Sequence, residues 1–269
     1  MKRQPPRLPA IATRGGPSAG EPARLPPAEL EAMALAGAEV EDCVRVLAKS
    51  GENIVSELLR DQGPFFEWDH YPPGDVRDFE THAHYYYHAH AADRRLPDEH
   101  GHFHTFLGIK GMAEGMQPVA LARRGGEEGK AGQRGGEAIC HLVAISMDRH
   151  GVPFRLFTVN RWVSDEAWYS ASDVIAVLDR FVIDLARPSW PVNRWIGALL
   201  RLFRPQIVEL VRARDRTLAA WRRANPGRSA FEERSLEVLS SASIDVAEQL
   251  ARIRAALGRR RRAPSAMQR

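Results

Sequence analysis

Apolar residues recur at helical spacing between Pro27 and Lys49, where Leu30, Met33, Ala34, Val40, Val44 and Leu47 fall on one stripe. Pro26-Pro27 opens this helix, since proline at the first helical position lacks only an N–H that would go unpaired anyway. Gly37 lies on the same stripe and weakens it by about 1 kcal/mol against alanine. A shorter helix with Ile54, Leu58 and Leu59 follows Gly51 and stops at Gly63-Pro64. Residues 65–78 are aromatic and turn-rich, and predict an ordered loop.

From Thr81 the period changes to two. Thr81–His90 and His100–Ile109 read as strands joined by the polar stretch Ala91–Glu99, and Ile139–Asp148 and Pro153–Arg161 read as a second pair turning through Arg149–Val152. Consecutive strands with short connections predict an antiparallel meander. After Ser164 helical spacing returns. Ser172 caps a helix to about Leu185, and Val192–Phe203 and Pro205–Ala224 form two more. Ser229 with Glu232 predicts a capping box for a last helix ending before Gly258. The tetrapeptide Val-Asn-Arg-Trp occurs at 159–162 and again at 192–195, without a longer repeat. The fold class is therefore α+β: a four-stranded antiparallel meander sheet covered by helices, with a helical C-terminal half.

Composition adds the ends. Residues 1–27 carry seven prolines and little to bury, so they predict a disordered tail, followed by one domain over 28–258 and a basic disordered tail at 259–269. The glycine-laden stretch 123–137 predicts a mobile insertion. The net charge of +4 is misleading: residues 1–28 carry +4 and 259–269 carry +5, which leaves −5 on the body between them. An acidic body offers no broad footprint for phosphate, so nucleic acid is not the expected partner. No apolar run approaches the roughly 18 residues of a membrane span, and no apolar segment follows Lys2-Arg3, so a cytoplasmic protein is expected. Cys43 and Cys140 are far apart and neither sits in a CxxC motif, which argues against a disulfide framework or a thiolate metal site.

Candidate chemistry lies in the histidines. All ten fall between His70 and His150, seven of them within residues 82–104. His82, His84, Tyr86, His88 and His90 share one strand face, because side chains alternate with period two; His100, His102, His104 and Phe106 share the corresponding face of the next strand. The odd faces, with Tyr85, Tyr87 and Phe103, are the core side. Pairing His90 with His100 sets His88 opposite His102 and Tyr86 opposite His104, with Cβ atoms about 4.5–5.5 Å apart. Imidazoles so arranged can converge on one ion at about 2.0–2.1 Å. The metal ligands expected are drawn from His88, His90, His100, His102 and His104, and the cofactor is a transition metal, with zinc, iron, copper and nickel all suited to imidazole. Such a site should weaken below about pH 6, where free histidine takes up a proton. Glu99 is a candidate general base or orienting carboxylate, and Tyr86 a candidate donor to a bound oxyanion. His70 and His141 read as packing residues, His150 as an exposed turn residue and Asp148 as the shaper of that turn.

The strings Tyr-Tyr-Tyr-His-Ala-His at 85–90, Glu-His-Gly-His-Phe-His at 99–104 and Ser-Trp-Pro-Val-Asn-Arg-Trp at 189–195 resemble an uncharacterised bacterial family, a domain of unknown function. The resemblance covers about residues 55–255, with the insertion near Gly125–Gly136 as a local addition. It implies the extent of the domain and no activity. Two classes of function stay open: a metal-dependent protein, enzyme or not, that activates water or oxygen on the histidine cluster; and a non-catalytic module whose sheet face binds an organic ligand, haem included, or a protein partner. Substrate and oligomeric state are not encoded legibly.

Overall fold

The computed structural model describes residues 22–119 and 138–262. Much of the predicted N-terminal tail, the whole 123–137 insertion, and residues 263–269 lie outside the described residues. Within them the architecture is α+β, with six antiparallel strands in the order β1-β2-β3-β4-β5-β6: β1 Tyr71–Arg77, β2 Ala83–His88, β3 Glu99–Gly108, β4 Ile139–Asp148, β5 Pro153–Val159 and β6 Val238–Ser243. The meander is as expected, and it is two strands wider. The added strands are the two edges. Tyr71–Arg77 contains Pro72, Pro73 and Gly74, which disguise it as a loop; prolines are tolerated there because an edge strand has one side free of ladder bonds. Val238–Ser243 was expected inside a long helix. Instead Ala230–Glu232 is a single 3-10 turn, and the serines of β6 satisfy specific partners: Ser240 Oγ donates to Leu210 O at 2.8 Å.

The helices are α1 Pro27–Ala48, α2 Ile54–Leu59, α3 Arg161–Ser164, α4 Ala171–Val177, α5 Trp190–Leu202, α6 Arg204–Ala224 and α7 Val246–Arg262. In α1 the buried stripe is Leu30, Met33, Ala36, Gly37, Val40, Cys43 and Leu47, whereas Val44 faces solvent. Gly37 has a reason to be glycine: a Cβ there would overlap the side chain of Leu250, so α7 crosses α1 at that point. Asn53 caps α2, accepting from Val55 and Ser56 backbone N–H while Ser56 returns the bond. The helix expected to run from Ser172 to Leu185 is capped instead by Ser170 and gives way to a 3-10 turn at Leu178. α7 passes through Gly258 to Arg262, and Pro22–Arg24 forms a 3-10 turn with Pro22 buried, so regular structure reaches into the inner margin of each stretch expected as a tail.

The odd face of the hairpin is the main core. Tyr85, Tyr87 and Phe103 are fully buried with Trp195 of α5, Phe103 and Trp195 at 6.0 Å between ring centroids. Tyr85 Oη donates to Asn193 Oδ1 at 2.6 Å, and Asn193 Nδ2 donates to the Leu185 and Arg187 carbonyls, so one buried amide locks α5 onto the sheet. The opposite face of the sheet carries the histidines.

Candidate metal centre

The β2–β3 ladder has the predicted register, with Tyr86 opposite His104 and His88 opposite His102. This face is buried as well, to 5% exposure for His102 and 2% for His104, with His88 partly buried. Two irregularities rearrange the remaining residues. Between Glu99 and Gly101 the β3–β4 register shifts by one residue, because β3 carries one more residue than its partner. His100 is that residue. It turns to the core side, where its Nδ1 is 2.7 Å from Tyr87 Oη and its ring meets Phe65 at 5.3 Å. Glu99 is thereby brought to the histidine side, and His102 Nδ1–H donates to Glu99 Oε1 at 2.7 Å. A second shift between Thr105 and Phe106 places the additional residue on β4 and brings His141 onto the same side, its Nε2 3.0 Å from His104 Nδ1. His141 is buried as a core histidine should be, but it is bonded to the cluster and not merely packed.

His88, His102 and His104 each offer a ring nitrogen within 4.8 Å of the others, and are close enough to hold one metal ion. His88 Nε2 and His102 Nε2 face each other at 2.7 Å. Two ligands around one ion at tetrahedral or octahedral angles stand about 2.9–3.4 Å apart, so a small outward movement accommodates the ion. The tautomers agree with this. Glu99 accepts from His102 Nδ1–H, so Nε2 is the nitrogen of His102 that faces His88; the contact of His104 Nδ1 with His141 leaves His104 Nε2 for the cluster. His90 stands beside the trio, its ring 5.0 Å from those of His88 and His102 and stacked on Trp68 at 4.4 Å.

Burial disfavours the protonated form of four of these rings. It depresses the pKa of His88 and His104 strongly, helped by neighbouring histidines, takes His90 down to about 4 by burial and the His102 charge, and His141 to about 3 by burial and Arg214. Glu99 is also buried, which alone would raise it, but the His102 bond and the charges of His102 and Arg155 hold it below the usual carboxylate range. An unprotonated imidazole and an ionised carboxylate are the forms that favour a cation.

Tyr86 borders this group, its ring 5.4 Å from His88 and 5.2 Å from His104. On its other side His70 stacks on it at 3.7 Å. His70 belongs to a second polar unit that sequence reading did not find. A bulge in β1 between Tyr71 and Val76 lifts Asp75 out of the ladder, at φ 62°, which aspartate tolerates better than most residues. Its Oδ1 is 2.9 Å from His70 Nδ1 and its Oδ2 2.9 Å from His84 Nε2. The sequence signal available was weak: an aspartate after Pro-Pro-Gly reads as a turn. Glu166, fully buried and pushed up to about 7 by its burial, was also missed; its Oε2 accepts the backbone N–H of His141 at 2.7 Å. His150 is exposed in its turn and Asp148 Oδ1 accepts from the backbone of His150 and Val152, as expected.

These paired histidine strands lie inside the match to a family described as a domain of unknown function (DUF6969), which spans residues 34–244. The chain belongs to this family. The DUF6969 match takes in all six strands and the helices from within α1 through α6, leaving all of α7 beyond it. No curated protein and no solved structure matches the chain. Membership carries no activity and leaves the chemistry to the site itself. Among the described residues no helix is long and apolar enough to cross a membrane.

Proposed function

We propose that this DUF6969 domain is a mononuclear transition-metal protein with His88, His102 and His104 as ligands. The observation that carries the reading is the convergence of three buried imidazoles, one of them backed by a buried carboxylate. Structural metal sites close with four protein ligands, whereas three ligands leave a position for water or oxygen. His90 is the fourth imidazole within reach, and its stacking on Trp68 holds it off the cluster. An open position therefore supports a metal-dependent enzyme that activates water or oxygen, with zinc, iron, copper and nickel as the ions that imidazole selects. In that reading Glu99 orients His102 and is not the base, and Tyr86 donates its hydroxyl to an anion on the metal. His100 drops out of the ligand set.

Metal content of tag-free protein, measured by mass spectrometry, tests this directly. The expected result is close to one ion per chain. His88→Ala combined with His102→Ala abolishes it, while His100→Ala and His150→Ala retain it. Wild-type protein that carries no metal, and takes up none of the four ions at micromolar levels, overturns the reading.

A further inference from the structure

The His70–Asp75–His84 unit stands in the wall of an open cleft of about 890 Å³ between β1, the start of β2 and the segment before β1. That volume lies in the range of small-molecule sites. Three aspartates, Asp69, Asp75 and Asp78, line the cleft against one arginine, Arg77, so the wall does not favour anions. Its rim is aromatic: Phe66 is 59% exposed and Phe79 82%, far more than large apolar side chains need to be without a partner.

The chemistry of the polar wall follows from one carboxylate. Asp75 is charged; burial opposes this, but bonds from both histidines hold its pKa well below the ordinary value. A charged carboxylate only accepts, so both rings must donate to it. His70 therefore donates from Nδ1 and His84 from Nε2; burial lowers the pKa of His84, which leaves its Nδ1 as an acceptor. His84 Nδ1 is buried without a hydrogen-bond partner among the described residues. Buried acceptors are rarely left unpaired, so this one marks the place of a donor. A metal is the poorer occupant: among the described residues only the His88, His102 and His104 group brings three ligand atoms within 4.8 Å.

We propose that this cleft is a second, metal-independent binding site for a hydroxylated aromatic molecule, whose hydroxyls donate to His70 and His84 while its ring packs against Phe66 and Phe79. The site adjoins the metal centre through the His70–Tyr86 ring pair.

Resorcinol is a suitable probe, having two hydroxyl donors on a ring and no chelating pair. Titrated into the full chain with labelled histidine, it should shift the ring nitrogen resonances of His70 and His84 saturably, equally with and without bound zinc. Its dimethyl ether, 1,3-dimethoxybenzene, which has no donor, should shift neither. Asp75→Asn sharpens the test, because an amide must donate to one of the rings and so turns that ring's free nitrogen into a donor. Resorcinol should then bind about tenfold more weakly, the scale of one mispaired hydrogen bond. The mixed donor–acceptor 3-methoxyphenol should overtake it. If Asp75→Asn does not fold, the wild-type ligand comparison decides alone. The proposal is overturned by the absence of shifts at millimolar resorcinol, by equal binding of the dimethoxy compound, or by binding that requires the zinc.

Discussion

Glu99 illustrates how one side chain sets the state of another. By accepting the Nδ1 proton of His102 it fixes which nitrogen faces His88. Glu99→Gln keeps the bond and removes the charge, so metal stoichiometry should survive while affinity falls by about 10–100-fold, as measured by competition with a chelating dye. Protons act on the same residues. His84, His88, His90, His100, His104 and His141 all have pKa values lowered by burial, His141 to about 3. A histidine whose folded pKa lies below its unfolded value stabilises fully above about pH 6.5 and loses that stability as pH falls towards the folded pKa. Each such group contributes up to about 1.4 kcal/mol per pH unit. Glu166 works in the opposite sense, since its pKa is raised to about 7, but it is one group against six. Metal-free protein should therefore show a urea midpoint that falls steadily from pH 7 to pH 4. Metal retention, by contrast, should extend below the pH ~6 that free histidine suggests, because burial holds the ligands His88 and His104 well below the free value. An unchanged urea midpoint across that range would contradict the buried neutral cluster.

At the scale of elements, the bulges decide which side chains meet. Period-two reading correctly paired His88 with His102 and Tyr86 with His104, because both lie in the regular part of the β2–β3 ladder. It placed His100 with the ligands and gave Glu99 no fixed side, since one additional residue in β3 inverts parity and no residue type announces it. It missed His141 for the same reason, one strand further on. Asp75 was invisible because its function depends on a bulge in a strand made of turn formers, and β6 because its buried serines mimic a helical stretch. Gly101 is the hinge of the first bulge. A Cβ there would lie 2.5 Å from the His88 carbonyl and 2.6 Å from Tyr87 Oη, neither of which can retreat cheaply. Gly101→Ala should cost about 1–3 kcal/mol in chemical denaturation and also weaken metal binding, because relief of the clash displaces His88. A variant as stable as wild type would mean that the bulge is looser than it looks.

The whole molecule is a sheet with two differently made sides. One is a hydrocarbon core closed by α1, α5 and α7; the other is a layer of imidazole, phenol and carboxylate with Phe106 among its rings and a small apolar cluster, Ala144, Phe157 and Val159, beside it. Asn193 couples the first side to the loop before α5, and Asn193→Ala leaves Tyr85 Oη and the Leu185 and Arg187 carbonyls without it. The expected loss is about 2–3 kcal/mol by thermal or urea unfolding, with metal stoichiometry unchanged, because the damage falls on the far side of the sheet. The two sides can thus be perturbed separately. Trp68 gives the histidine side a voice of its own. Its indole lies flat on His90, 4.4 Å away, while none of the other five tryptophans has a ring contact with a histidine. Ultraviolet emission from this one indole should dim when copper or nickel settles among the imidazoles, and Trp68→Phe should silence that response while leaving the ion in place, so that loading of the centre can be followed by light alone.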